Sequence, residues 1–83
     1  MELSHLRYFL AIAQAGSISA AAKKLRISQP ALTVAIHQLE KELSGTLFHR
    51  DHSGVTLTSV GEELRRHAEQ IFTLIEHAQE QVR

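Results

Sequence analysis

His49, Asp51 and His52 are the residues whose types and spacing first suggest chemistry. Two imidazoles flanking a carboxylate suit metal binding or proton transfer, and His49-Arg50-Asp51 echoes the catalytic loop of protein kinases. Neither reading survives the local pattern. Residues three apart on an extended strand point to opposite faces, and no third histidine lies nearby in sequence. A kinase also needs a glycine-rich loop and metal-binding groups, for which 83 residues leave no room. Glu62 with Glu63, and Glu69 with Glu76, read as a solvated helix face rather than as paired catalytic carboxylates. With no nucleophile beside a base, no metal constellation and no phosphate loop, the chain is not expected to be an enzyme, and no cofactor or metal is expected.

A second set of residues points to recognition instead. Leu32, Ile36, Leu39 and Leu43 recur 4, 3 and 4 residues apart, which turns one stripe of a helix toward a core. The opposite face then carries Gln29, Pro30, Thr33, Val34 and His37, with no acidic residue among them. Small and medium polar side chains on an exposed helix suit a DNA major groove about 12 Å wide, where an amide pairs with a base edge. Helix spacing alone fits equally well a three-helix core with a merely solvated face. Val34 favours DNA, because an exposed β-branched apolar side chain is poorly explained by solvation and suits a thymine methyl group.

The elements that must position these residues follow from periodicity and caps. Leu3, Leu6, Leu10 and Ala13, with Phe9 alongside, predict a first helix ended by Gly16. Ser17 is placed to cap a short second helix, ISAAAKKL, whose alanines permit close packing and whose Lys23 and Lys24 suit its C-terminal dipole. Arg26 and Ile27 make a tight link to Ser28, a cap for the third helix, with Pro30 in its first turn and Gly45 at its end. Two helices joined by such a turn form a helix-turn-helix. LFHRDHSGVTLT then reads as a β-hairpin turning at Asp51, His52, Ser53 and Gly54. Thr58 or Ser59 caps a last helix, and Ser59 with Glu62 would make a capping box. Along that helix Val60, Leu64, Ala68, Ile71, Ile75, Ala78 and Val82 form an apolar stripe, for which pairing with a second copy is the economical explanation.

Composition bounds these readings. One small domain without cysteines must be held by helix packing alone. No apolar run approaches the roughly 20 residues that span a bilayer, so no membrane partner and a cytoplasmic location are expected. Nine Lys+Arg balance nine Asp+Glu. Residues 1–58 nevertheless carry a net +2 and residues 59–83 a net −2, which confines any phosphate contact to the first part. Arg50 could meet phosphate from the hairpin base, or could equally pair with Glu40 to hold the hairpin. Lys24 and Ser28 could flank a backbone phosphate at a helix N-terminus, or be a solvated lysine and an ordinary cap.

The order and spacing of several segments resemble LysR-type transcriptional regulators from Met1 to the end of the chain. These are LRYF at Leu6–Phe9, GSISAAAKKL at Gly16–Leu25, ISQPALT and IHQLEKEL within Ile27–Leu43, LFHR at Leu47–Arg50, and VTLTSVGE at Val55–Glu62. The resemblance implies that the third helix enters the major groove, that the wing formed by the hairpin approaches the minor groove or backbone, and that the fourth helix dimerises. It places Gln29, Pro30 and Thr33 at base and nearby phosphate contacts. Many relatives carry Arg where this chain has Val34 and His37, and their wings are often Arg-rich where this one has His52 and Ser53. Recognition is therefore expected to lean on amide, methyl and hydroxyl contacts. A larger effector-binding domain normally follows in the family and is expected to be absent here, so a small-molecule effector would act only through that domain.

The expected fold is all-α with a small β-hairpin. Residues 1–58 form a winged helix-turn-helix and 59–83 a linker and dimerisation helix. The expected function is sequence-specific binding of a roughly palindromic double-stranded DNA site as a homodimer. The neutral charge leaves one alternative, a helical protein-interaction or dimerisation module without DNA specificity.

Overall fold

The computed structural model describes residues 1–83. Four helices and one hairpin follow in the order α1 (Leu3–Ala15), α2 (Ile18–Leu25), α3 (Gln29–Leu43), β1 (Phe48–Asp51), β2 (Gly54–Leu57) and α4 (Ser59–Val82). Their boundaries are set by local backbone chemistry. Gly16 takes the left-handed conformation at φ 75° and ends α1 by donating its N–H to the Ile12 carbonyl. Ser17 and Ser28 cap α2 and α3, accepting from the N–H groups of Ala20 and Ala31 at 3.1 and 3.2 Å. Arg26, left-handed at φ 60°, closes α2 by donating to Lys23.

One boundary differs from expectation, and the choice between two caps for α4 is settled. Ser44, not Gly45, takes the left-handed position after α3, at φ 54°. Gly45 lies instead against Val60, where a Cβ would meet a methyl at 3.1 Å, a tight contact. Thr58 rather than Ser59 caps α4, accepting from the Gly61 N–H while its own hydroxyl donates to the Thr46 carbonyl. The box between Ser59 and Glu62 does not form; Glu62 instead pairs with Arg65 at 3.0 Å.

The core collects Leu6, Phe9 and Ile12 from α1, Ala21 and Ala22 from α2, and Leu32, Ile36 and Leu39 from α3. Leu47, Phe48, Leu64 and Ala68 complete it. The buried stripe of α1 is therefore centred on Phe9 and Ile12, while Leu3 is 48% exposed. Phe9 packs on Phe48 with ring centroids 5.3 Å apart, which ties the base of the hairpin to α1. The strands pair antiparallel with Phe48 opposite Leu57 and Asp51 opposite Gly54, leaving a two-residue tip of His52 and Ser53.

The stripe along α4 divides. Leu64 and Ala68 lie inside this chain's own core, and Ile71 packs against it, so these three are not a free seam for another copy. Arg7 of α1 covers the ring of Phe72 at 4.4 Å and holds the middle of α4 down. Beyond Phe72 no residue of α4 is buried, and the molecule measures 45 × 27 × 20 Å, elongated by that projecting end. Neither α4 nor any other helix is long and apolar enough to cross a membrane.

Candidate nucleic-acid interface

The groups that could meet DNA are presented by three local devices: the turn between α2 and α3, the outer face of α3, and the hairpin. Leu32, Ala35, Ile36 and Leu39 are buried, which leaves Gln29, Pro30, Val34 and His37 exposed on the other side of α3, with Thr33 half-buried beside them. Pro30, Val34 and His37 follow one another at intervals of four and three residues and so lie along one line of the helix surface. Gln29 and Thr33 form the adjacent line. Val34 is 56% exposed and is the one large hydrophobic side chain of α3 presented to solvent. Every α3 residue placed on this surface from sequence is thus brought to it, Thr33 with the least access.

At the turn, Lys24 is exposed in the last turn of α2 and Ser28 caps the first turn of α3. The free N–H groups and positive dipole end of α3 favour an anion, and Lys24 lies four residues before the Ser28 cap in the chain. The Ser28 side chain is already accepting from Ala31, so its capping role is present without any ligand.

The hairpin removes one of the two alternatives for Arg50. Glu40 does not pair with it; its Oε2 accepts the backbone N–H of Leu47 at 2.8 Å and so secures the entry to β1. Arg50 is exposed on β1 and takes part in none of the three ion pairs of the molecule. At the tip, Asp51 Oδ1 accepts both the N–H and the hydroxyl of Ser53, at 2.8 and 2.6 Å. Those two bonds, the hydroxyl first, hold the Asp51 carboxyl below its usual pKa. Ser53 therefore has no hydroxyl proton to give a phosphate while this bond is intact. His52 is exposed at the tip, free of that network.

The hairpin is also aimed. The N–H of Val55 donates to the Gly16 carbonyl at 2.9 Å, so the wing is docked on the end of α1 rather than hanging free. Nothing in the sequence pattern marked this bond, nor Phe72, nor Leu74, which at 69% exposure is the most open large hydrophobic side chain in the middle of α4. Leu74 escapes the sequence pattern because it lies one position off the strict stripe.

Residues 3–62 match the family described as bacterial regulatory helix-turn-helix protein, lysR family. The chain belongs to the LysR family. It is 40% identical over 83 residues to the HTH-type transcriptional regulator YofA of Bacillus subtilis (strain 168), covering all of this chain and 29% of that protein. It is 45% identical over 76 residues to the HTH-type transcriptional regulator ClcR of Pseudomonas putida, covering 92% of this chain and 26% of that one. The LysR match thus spans little more than a quarter of these two relatives' length. Among solved structures, the DNA-binding domain of CbnR in its complex with DNA superposes with a TM-score of 0.93 at 38% identity, covering 99% of this chain and 94% of that one. The DNA-binding domain of BenM in complex with benA site 1 DNA also gives 0.93, at 35% identity, covering 99% and 95%. The winged helix-turn-helix with a long fourth helix is therefore the architecture of LysR DNA-binding domains, as expected from sequence.

Proposed function

We propose that this chain is the sequence-specific DNA-binding unit of a LysR-type transcriptional regulator, acting on double-stranded DNA by binding and not by catalysis. The observation that carries the reading is the outer face of α3, where Gln29, Pro30, Val34 and His37 stand exposed around Thr33 with no carboxylate among them. Such a surface approaches phosphates without repulsion and offers amide and apolar groups to base edges. Lys24 and the N-terminus of α3 supply a phosphate grip on one side, Arg50 and His52 on the other. In this reading residues 1–58 recognise DNA and residues 59–83 join two copies. The relatives named above are transcriptional regulators, and CbnR and BenM domains of this shape were solved on DNA.

Dimerisation is assigned to the distal part of α4. With Leu64 and Ala68 used internally, the surface left for a second copy is Leu74, Ile75, Ala78 and Val82, with Val60 at the helix start. Two copies so joined would present two α3 helices to half-sites of a roughly palindromic site. Control by a small-molecule effector would belong to a further domain of the regulator, in the cytoplasm.

The test is selection from a random duplex pool followed by gel shift against unlabelled specific and scrambled competitors. A recurrent inverted motif, retained under scrambled competitor, is the expected result. Folded protein that binds no duplex, or binds all alike, would overturn the reading.

A further inference from the structure

Val34 is an expensive residue to leave where it stands. A β-branched side chain at an exposed helix position loses rotamer freedom and helix propensity relative to Ala, Lys or Arg. It adds nothing to the core in return, being absent from both the core and the partly buried shell around it. It also forgoes a charge at a place where lysine or arginine would attract phosphate.

Its surroundings narrow what could use it. The helical neighbours of Val34 three and four positions away are Pro30, Ala31, His37 and Gln38, all exposed. An isopropyl group with Pro30 and Ala31 on one side and polar groups on the other is far too small an apolar patch for a protein partner, which needs about 800 Å² per side. It matches a target that is itself a single apolar group on a polar surface. The major-groove edge of a base pair has one such group, the C5 methyl of thymine.

Resting on the DNA-binding reading above, we propose that Val34 is a specificity-determining residue that selects a thymine in each half-site by contact with its C5 methyl. Gln29 and Thr33, on the neighbouring line of α3, supply the hydrogen-bonding groups. Val34 adds discrimination of thymine from cytosine and from uracil at one position. The contact is apolar, so it contributes nothing to the salt dependence of binding.

The experiment uses this chain and the duplex recovered by selection, with each thymine replaced in turn by 2′-deoxyuridine, a change that deletes only the methyl. At one symmetry-related position the substitution is expected to weaken binding about fourfold per half-site, the value of one buried methyl-sized group. In Val34→Thr, which keeps shape and replaces one methyl by a hydroxyl, the same substitution is expected to cost less than in the parent, because the one remaining methyl keeps only part of the contact. Val34→Ala, which keeps the helix and withdraws the isopropyl group, should behave likewise. Equal loss on deoxyuridine in the parent and in both variants would overturn the proposal while leaving DNA recognition intact, as would a selected site indifferent to every thymine methyl. Failure of the folded parent to select any sequence would instead remove the DNA-binding reading, and this proposal with it.

Discussion

The backbone N–H of Val55 and the carbonyl oxygen of Gly16 meet at 2.9 Å, so the residue that ends α1 also receives the wing. Gly16 thereby serves two elements: its N–H closes the helix on Ile12 while its carbonyl fixes the direction of the hairpin. The wing's aim relative to α3 follows from this bond together with the packing of Phe9 on Phe48. Recognition helix and wing are consequently both held against α1.

Gly54 is the residue that permits this approach. It has φ +136°, and a Cβ there would lie 2.3 Å from the Gly16 oxygen. Gly54→Ala is expected to cost about 1–3 kcal/mol through backbone strain alone, and more through undocking of the wing. Gly16→Ala, where a Cβ meets nothing within 4 Å, should cost about 1 kcal/mol from the left-handed conformation only. Thermal unfolding of the two variants measures the difference, and equal losses would show that the docking of the wing carries no stability.

How far the sequence could be read depends on which interaction wrote each signal. Caps and turns are local, so Ser17, Ser28 and a hairpin turn within Asp51, His52, Ser53 and Gly54 could be placed from neighbours in the chain, the structure narrowing the tip to His52 and Ser53. The outer face of α3 was legible because its inner stripe carries leucine and isoleucine at helical spacing, with Ala35 beside them. Periodicity shows that Leu64, Ala68 and Ile75 share a face, but not whether that face meets its own core or another molecule. The stripe therefore merged two surfaces that the structure separates near Phe72. Glu40 was ambiguous for a similar reason, since its partner is a backbone N–H at Leu47 and leaves no complementary charge in the sequence. Ser44 hid the end of α3 because a serine was used where glycine is usual.

Wing-tip stability should depend on acid in a defined direction. The Ser53 hydroxyl and N–H lower the Asp51 pKa below its usual 3.8, so the ionised carboxylate is favoured in the folded state. The stabilisation is therefore fully present above pH 3.8, and is lost as pH falls through the lowered folded value. Asp51→Asn is expected to have a slightly lower urea midpoint than the parent at pH 5–7, with the gap closing only in strong acid. A gap that persists unchanged well below the usual carboxylate range, or no gap at neutral pH, would argue against this network.

Substitutions along α4 should separate folding from association. Leu74→Lys alters a side chain that is 69% exposed in one copy, so the fold should survive while an ammonium is forced into the proposed dimer seam. A loss of about 3 kcal/mol or more in association is expected, seen as monomer in sedimentation at concentrations where the parent is dimeric. Leu64→Lys, in the core, should instead unfold the domain. A parent that stays monomeric at high micromolar concentration, or a Leu74→Lys dimer as tight as the parent, would refute the assignment.

Reading and gripping of DNA should come apart in two further variants. Gln29 is exposed in the first turn of α3, where its amide can pair with a base edge, whereas Arg50 is exposed on β1, away from that face. Gln29→Ala is expected to cost about 1–3 kcal/mol on the selected site and little on scrambled duplex, because scrambled DNA never satisfied the amide. Arg50→Ala should weaken both duplexes alike and reduce the slope of log affinity against log salt by about one unit for each phosphate that the arginine neutralises. Salt titrations of each variant on both duplexes make the distinction, since removing a base-reading group shifts the line and removing a phosphate-binding group tilts it. Equal losses on both duplexes for Gln29→Ala would show that α3 does not read bases through that amide. An unchanged slope for Arg50→Ala would leave Lys24 and the N-terminus of α3 as the principal phosphate grip.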